Sequence, residues 1–298
     1  MPKSLKLHYL IYTLLLPLLI LAICFLSLPT KKVRYAVFAG YNENKTIEPY
    51  ILTYLKGLNE ITDGIVYITD SELAEGELQK LKKFNILFTS FKRHNEYDWG
   101  SYKRGLYWLK KNGYLEKADE IIFANDSTYA PLTSFKKMFQ TMDKRKDLDF
   151  WGDSQNHHFN PHLQSYFLVF RKKVFNSKAF EHFMNSVHHQ IDSSLYILEY
   201  EINLTPYLEL LGYKWNSYLP YNKLRYLPIK DKNSYPLTLI MFYHHEFLKR
   251  RTFTEKLMIL ENIDELLEYL RKHHKQTYLD ILSANHPRLD YLKHKNKD

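Results

Sequence analysis

The chain has 298 residues, 45% of them hydrophobic and 25% charged, a normal globular balance, and its single cysteine, Cys24, excludes intramolecular disulfides and cysteine-based zinc sites. The net charge of +9 favours anionic partners such as acidic lipid or a phosphorylated substrate. No long Lys/Arg run and no nucleic-acid motif occurs, so nucleic acid is not an expected partner. Aromatics are abundant, with 25 Tyr and 18 Phe, and Tyr suits cores, interfaces and sugar-stacking surfaces alike.

Residues 9–28, YLIYTLLLPLLILAICFLSL, carry no charge. Twenty helical residues span roughly 30 Å, the thickness of a bilayer's hydrocarbon core. A cleaved signal peptide is the alternative, but FLSLPTKK lacks a small-x-small cleavage site. We therefore expect one uncleaved transmembrane helix within residues 1–30. The flank after it, with Lys31, Lys32, Arg34 and Lys45 against Lys3 and Lys6 before it, leads us to expect the following domain on the cytoplasmic side.

After this segment strands and helices alternate. VRYAVFAGY (33–41), GIVYITD (64–70), NILFTSF (85–91) and DEIIFAND (119–126) are expected strands. Helices are expected over 47–61, 71–84 and 99–111, the last ending at Asn112-Gly113, and from Ser134, where Phe135, Met138, Phe139 and Met142 recur on one face. This rhythm predicts a mostly parallel sheet covered on both faces. Further strands are expected at 149–152, 163–175 and 213–220, with helices near 177–190, 196–211 and 261–274. The tail after residue 285 is basic and expected to be loose.

Glycine-rich phosphate loops, HExxH and G-x-S-x-G are all missing, and only 9 Gly are available. Asp70 and Asp126 instead end the second and fourth expected strands. In a parallel sheet those tips share one edge, where ligands bind. Acids there can hold a divalent ion that neutralises a departing diphosphate. The bland reading of Asp126 is a turn residue in NDS. Asp98 precedes an expected helix and reads either as its N-cap or, with Lys103 and Arg104 nearby, as part of a phosphate site. The paired histidines point apart on any regular element and are expected to be surface or core residues.

HNEYDWGSYKRGL (94–106), FANDSTYAP (123–131), DFWGDS (149–154), HLQSYFLVFRKKVF (162–175) and YEINLTPYLELLGY (200–213) occur in the order found in one family. The chain resembles the rhamnan synthesis protein F family of bacterial glycosyltransferases over residues 33–253, with FLKRRTF (247–253) fitting as well. The resemblance implies a GT-A-like nucleotide-binding α/β sandwich over residues 31–253, leaving 254–298 as a helical appendage with a basic tail. It implies transfer of a sugar, rhamnose by the family's label, from a nucleotide-sugar donor to a glycan or lipid-linked glycan of the cell surface. Mg²⁺ or Mn²⁺ bound at Asp126 is the family expectation, although NDS offers one acid where D-x-D offers two.

The expected donor contacts are Asp70, Asp98, Lys103, Asn125, Asp126 and Ser127. The acceptor's general base is expected to be Glu201 or Asp153, with Glu201 matching the family's acid better. His162, Gln164 and Ser165 are expected sugar contacts. A period-2 strand would send Gln164 and Tyr166 to one face and Ser165 and Phe167 to the other, and a buried Gln164 needs sugar or backbone as partner. A catalytically silent glycan-binding or scaffold protein is the alternative, since a fold does not guarantee its chemistry.

Overall fold

Alternation along the strands builds the centre of the molecule. The computed structural model describes residues 31–157, 159–219, 221, 239, 243–251 and 263–273. The expected membrane segment, the basic tail and most of 254–298 lie outside these residues. Among the described residues no helix is long and apolar enough to cross a membrane. The chain divides into Met1–Lys32 and Val33–Asp298, and the second unit holds every element described below.

The described residues contain eleven strands: β1 (Arg34–Gly40), β2 (Gly64–Thr69), β3 (Ile86–Ser90), β4 (Glu120–Asn125), β5 (Thr128–Tyr129), β6 (Phe150–Gly152), β7 (Gln155–Asn156), β8 (His162–Leu163), β9 (Phe167–Arg171), β10 (Trp215–Ser217) and β11 (Leu248–Lys249). Seven of them form one sheet in the order β10-β6-β9-β4-β1-β2-β3. β9 runs antiparallel to β4 and β6, and the remaining pairs are parallel. The expected mostly parallel sheet is therefore present.

Side chains of successive residues leave the sheet on opposite faces. Ala36, Phe38, Ile65, Tyr67, Ile122 and Ala124 enter one core with helices α1 (Pro49–Asn59) and α3 (Lys136–Met142). Val37, Ala39, Val66, Ile68, Ile121 and Phe123 enter the other with α2 (Tyr97–Lys111), α4 (Lys178–Ser186) and α5 (Ile202–Leu210). Both faces are apolar, so the central strands read as near-continuous hydrophobic runs. A final helix, α6 (Ile263–Lys272), sends Leu266, Leu267 and Leu270 into the first core.

Glycine sets how closely α2 lies on the sheet. A Cβ at Gly105 would come within 2.3 Å of Val37 Cγ1, so only glycine permits this approach. Two expected elements differ. The 71–84 helix shrinks to a 3₁₀ turn at Glu77–Leu81, because Gly76 takes φ +84° and breaks the helical path. The 163–175 strand divides into β8, a turn at Ser165–Tyr166, β9 and a short helix at Lys172–Phe175. Gln164 and Ser165 do diverge as alternation requires, but the turn brings Phe167 into the same core as Tyr166.

The opposite edge of the sheet is tied together by charge. Glu120 is buried and accepts from Arg34 Nε at 2.7 Å and Arg171 Nε at 3.3 Å. Arg171 also donates to the carbonyls of Met142, Arg145 and Leu148. Removing one partner of a buried pair costs far more than the pair itself contributes. Glu120→Gln is expected to lower stability by about 3–5 kcal/mol in chemical denaturation, and a loss under 1 kcal/mol would show that solvent replaces the carboxylate.

Candidate functional site

Connection order makes a crevice at the carboxyl edge of the sheet. From β1 the chain moves outward through β2 to β3, then returns to β4 on the other flank of β1. The strand ends diverge at this reversal, which is where open α/β sheets bind ligands. Tyr41 leaves β1 and Asp126 leaves β4 at this point, and the Tyr41 amide donates to Asp126 Oδ2 at 2.8 Å. Burial pushes the Asp126 carboxyl above its ordinary range, opposed by Arg250 and by the Tyr41 N–H. Asp126 is thus held in the crevice, as the strand-tip reading expects, rather than solvated in a surface turn.

Arg250 arrives from a distant part of the chain. β11 pairs antiparallel with β5, and the Arg250 amide donates to the Ser127 carbonyl at 3.0 Å. Its Nη1 donates to the Asp126 carbonyl at 3.0 Å, and its guanidinium lies 4.7 Å from the centre of the Tyr50 ring. Its Nε is buried with no hydrogen-bond partner among the described residues. Sequence reasoning missed Arg250 although FLKRRTF contains it, because nothing local says which of Lys249, Arg250 and Arg251 turns inward.

Asn125 links the acids. Its Nδ2 donates to Asp98 Oδ2 at 2.6 Å, and its Oδ1 accepts from Ser127 Oγ at 2.6 Å and from the Ser127 amide. Asp98 is not the N-cap of α2. The helix begins at Tyr97, so Asp98 lies within its first turn and faces Asn125. Burial, with the Asp126 and Glu201 charges, pushes Asp98 up to about 8 against the opposing Asn125 bond. Asp98 therefore carries a proton at neutral pH. The unfolded chain releases that proton near 3.8, so the folded state holds more protons between about 4 and 8 and loses stability as pH rises through this window. Asp98→Asn keeps an oxygen for Asn125 and is expected to flatten the fall in melting temperature from pH 6 to pH 9. An unchanged pH profile would place this proton elsewhere.

Glu201 closes the group. Helix Ser193–Tyr196 passes through a π turn at Ile197–Glu201 into α5, a geometry frequent at functional sites. Glu201 Oε2 accepts from both the amide and the hydroxyl of Ser165, and His162 Nε2 lies 3.9 Å from Oε1. His162 Nδ1 also contacts the Asn160 carbonyl at 2.6 Å. Ser165 and His162 thus orient the carboxylate.

Other expected site residues lie elsewhere. Lys103 does not face the crevice: its ammonium donates to the carbonyls of Asn185 and Val187 at the carboxyl end of α4, the favoured end of a helix for a cation. Asp153 is completely buried, and its Oδ2 accepts from Tyr166 OH at 2.5 Å and His245 Nε2 at 2.8 Å. Gln164 finds a protein partner, Ser154 Oγ at 2.7 Å, rather than an open sugar surface. Asp70 lies on the expected edge, but its Oδ1 accepts from the His94 and Asn95 amides and so shapes the loop that starts α2. Burial holds His94 down at about 4, leaving a neutral ring.

The expected divalent ion would meet a donor set that is already partly engaged. Asp126 Oδ2 is engaged by an amide, Asp98 by Asn125, and a guanidinium stands beside Asp126. Among the described residues no group of three or more His, Cys, Asp or Glu is arranged to hold a metal ion.

The family described as Rhamnan synthesis protein F matches residues 65–296. The Virulence protein VirA of Vibrio anguillarum is 28% identical over 72% of this chain and 69% of its own length. The Uncharacterized protein y4gN of Sinorhizobium fredii is 26% identical over 54% of this chain, which spans 43% of that protein. Solved structures with a similar chain path include a cytidylyltransferase from Leptospira borgpetersenii, with TM-score 0.38, 15% identity, and 78% of this chain and 97% of that chain covered. The Mn/GDP form of core-mannan synthase A from Aspergillus fumigatus gives TM-score 0.34 and 10% identity, with coverage of 53% and 65%.

Proposed function

The chain belongs to the rhamnan synthesis protein F family, and from that premise we propose that it transfers a sugar from a nucleotide-sugar donor to a cell-surface polysaccharide or lipopolysaccharide. One observation carries the reading: the Asp126 carboxylate, the Tyr41 amide and the Arg250 guanidinium converge where the strand order reverses. On this reading the sheet is a GT-A-like donor platform. Arg250 takes the donor diphosphate and stabilises the charge that builds on it as the bond to the sugar breaks. Asp126 and Asn125 take donor hydroxyls. Glu201 accepts the proton of the attacking acceptor hydroxyl as the new glycosidic bond forms.

Residues 1–30 would tether the domain to the inner membrane, facing the cytoplasm where bacterial nucleotide sugars are made. A reporter fused after Asp298 is expected to report the cytoplasmic side, and an external signal would contradict the donor reading. The direct test is melting temperature against dTDP, UDP, GDP and CMP, with Mg²⁺, with Mn²⁺ and with chelator. A ligand at a hundred times its dissociation constant adds about 2.7 kcal/mol, a shift of at least several degrees. A selective shift that persists in chelator supports the Arg250 site. A shift that needs metal would restore Asp126 as a metal ligand. No shift with any nucleotide, from folded protein, favours the silent glycan-binding scaffold.

A further inference from the structure

The β10 edge of the sheet carries a second concavity. A cleft of about 540 Å³ lies along β10, the outermost strand on the side away from β1, within the range of roughly 300–1,000 Å³ common for small-ligand sites. Trp215 and Asn216 come from β10, Tyr213 from the turn before it, Gln155 and His157 from β7 and its exit, and Tyr221 completes the wall. The His157 and Tyr221 rings stack face to face with centroids 3.6 Å apart. Gln155 Nε2 donates to Ser217 Oγ at 3.0 Å and its Oε1 lies 3.2 Å from His157 Nε2, so the amide and the imidazole fix each other. Trp215 and Tyr213 pack partly against the second core and are half-buried.

The chemistry of this lining narrows the ligand. Broad aromatic faces pack against the C–H faces of pyranose rings, while side-chain amides exchange hydrogen bonds with hydroxyls. Gln155 bonds to Ser217 and His157 and Asn216 Oδ1 accepts from the Ser217 amide, so the N–H capacity these amides keep among the described residues suits hydroxyls better than a lipid or an aliphatic side chain. The charged side chains at the cleft, Glu209 and Lys214, are one of each sign, so neither a phosphate nor a polycation is favoured. The cleft is also joined to the candidate site. β7 pairs antiparallel with β8, setting Asn156 opposite His162, and His162 lies beside Glu201.

We propose that this cleft is a saccharide subsite holding a neutral oligosaccharide stretch of the acceptor behind the end that receives the new sugar. The assignment of that glycan as acceptor rests on the transferase reading above; saccharide binding itself does not. The test uses the purified full-length chain, a hexasaccharide of rhamnose and one of glucose, and tryptophan emission with saturation-transfer NMR. Saturable binding of one hexasaccharide is expected, weakened at least fivefold in Asn216→Ala and in Tyr221→Ala, with the nucleotide-induced thermal shift unchanged. Binding that both variants leave intact would overturn the subsite. Failure of both hexasaccharides to bind a chain that still shows the nucleotide shift would overturn it too. Binding lost in the variants of a chain that never responds to nucleotide would uphold the subsite while sinking the transferase reading.

Discussion

Arg250→Ala is expected to abolish the nucleotide-induced rise in melting temperature. The guanidinium is set at the Asp126 turn, and its Nε is buried with no partner among the described residues. Truncating one member of a buried, hydrogen-bonded charge pair costs about 2–5 kcal/mol of binding. Nucleotide at a hundred times its dissociation constant contributes about 2.7 kcal/mol, so a loss of that size removes the shift. Arg250→Lys keeps the charge without the planar fork and should retain part of it. Arg250 also ties β11 to the Asp126 turn, so the melting temperature without ligand must be read beside the shift. A full nucleotide response in Arg250→Ala would remove the residue from the donor site. Asp126→Asn keeps an oxygen for the Tyr41 amide, and it separates the acid's role from the arginine's.

Glu201→Gln is expected to reduce transfer by about 10²–10⁴-fold, the usual contribution of a general base, with the nucleotide shift intact. The replacement keeps an oxygen for the Ser165 amide and hydroxyl, so the π turn should hold its shape. Asp153→Asn is the informative comparison. Its carboxylate is enclosed by Tyr166 and His245, and His245 belongs to the stretch that leads to Arg250. We expect that variant to melt earlier and to lose activity in proportion to folded protein. Transfer that survives Glu201→Gln but disappears in a fully folded Asp153→Asn would reverse the two roles.

Much of the frame was legible because its causes are local. Runs such as AVFAG and EIIFAN are strands through the apolar character of both faces, and the 3.6-residue spacing of Phe135, Met138, Phe139 and Met142 can only be one side of a helix. The helix expected at 71–84 failed at Gly76, where a single left-handed residue outweighs summed propensity. Lys103 was misplaced for a related reason. Its position inside α2 follows from sequence, but the direction of a long flexible side chain depends on which carbonyls a neighbouring helix presents.

The sequence by itself determined the strand–helix rhythm, the parallel sheet and the arrival of Asp126 at a strand tip, because backbone geometry and side-chain periodicity act over a few residues. It also carried the family, through blocks whose order survives in one dimension. Only the tertiary structure decided which charged groups meet. Arg250 lies 124 positions from the carbonyl it contacts, and Asp98, Asn125 and Glu201 come from three separate elements. Their meeting follows from crossover order and core packing, and the raised Asp98 carboxyl follows from burial beside Asp126 and Glu201. A one-dimensional pattern contains neither quantity.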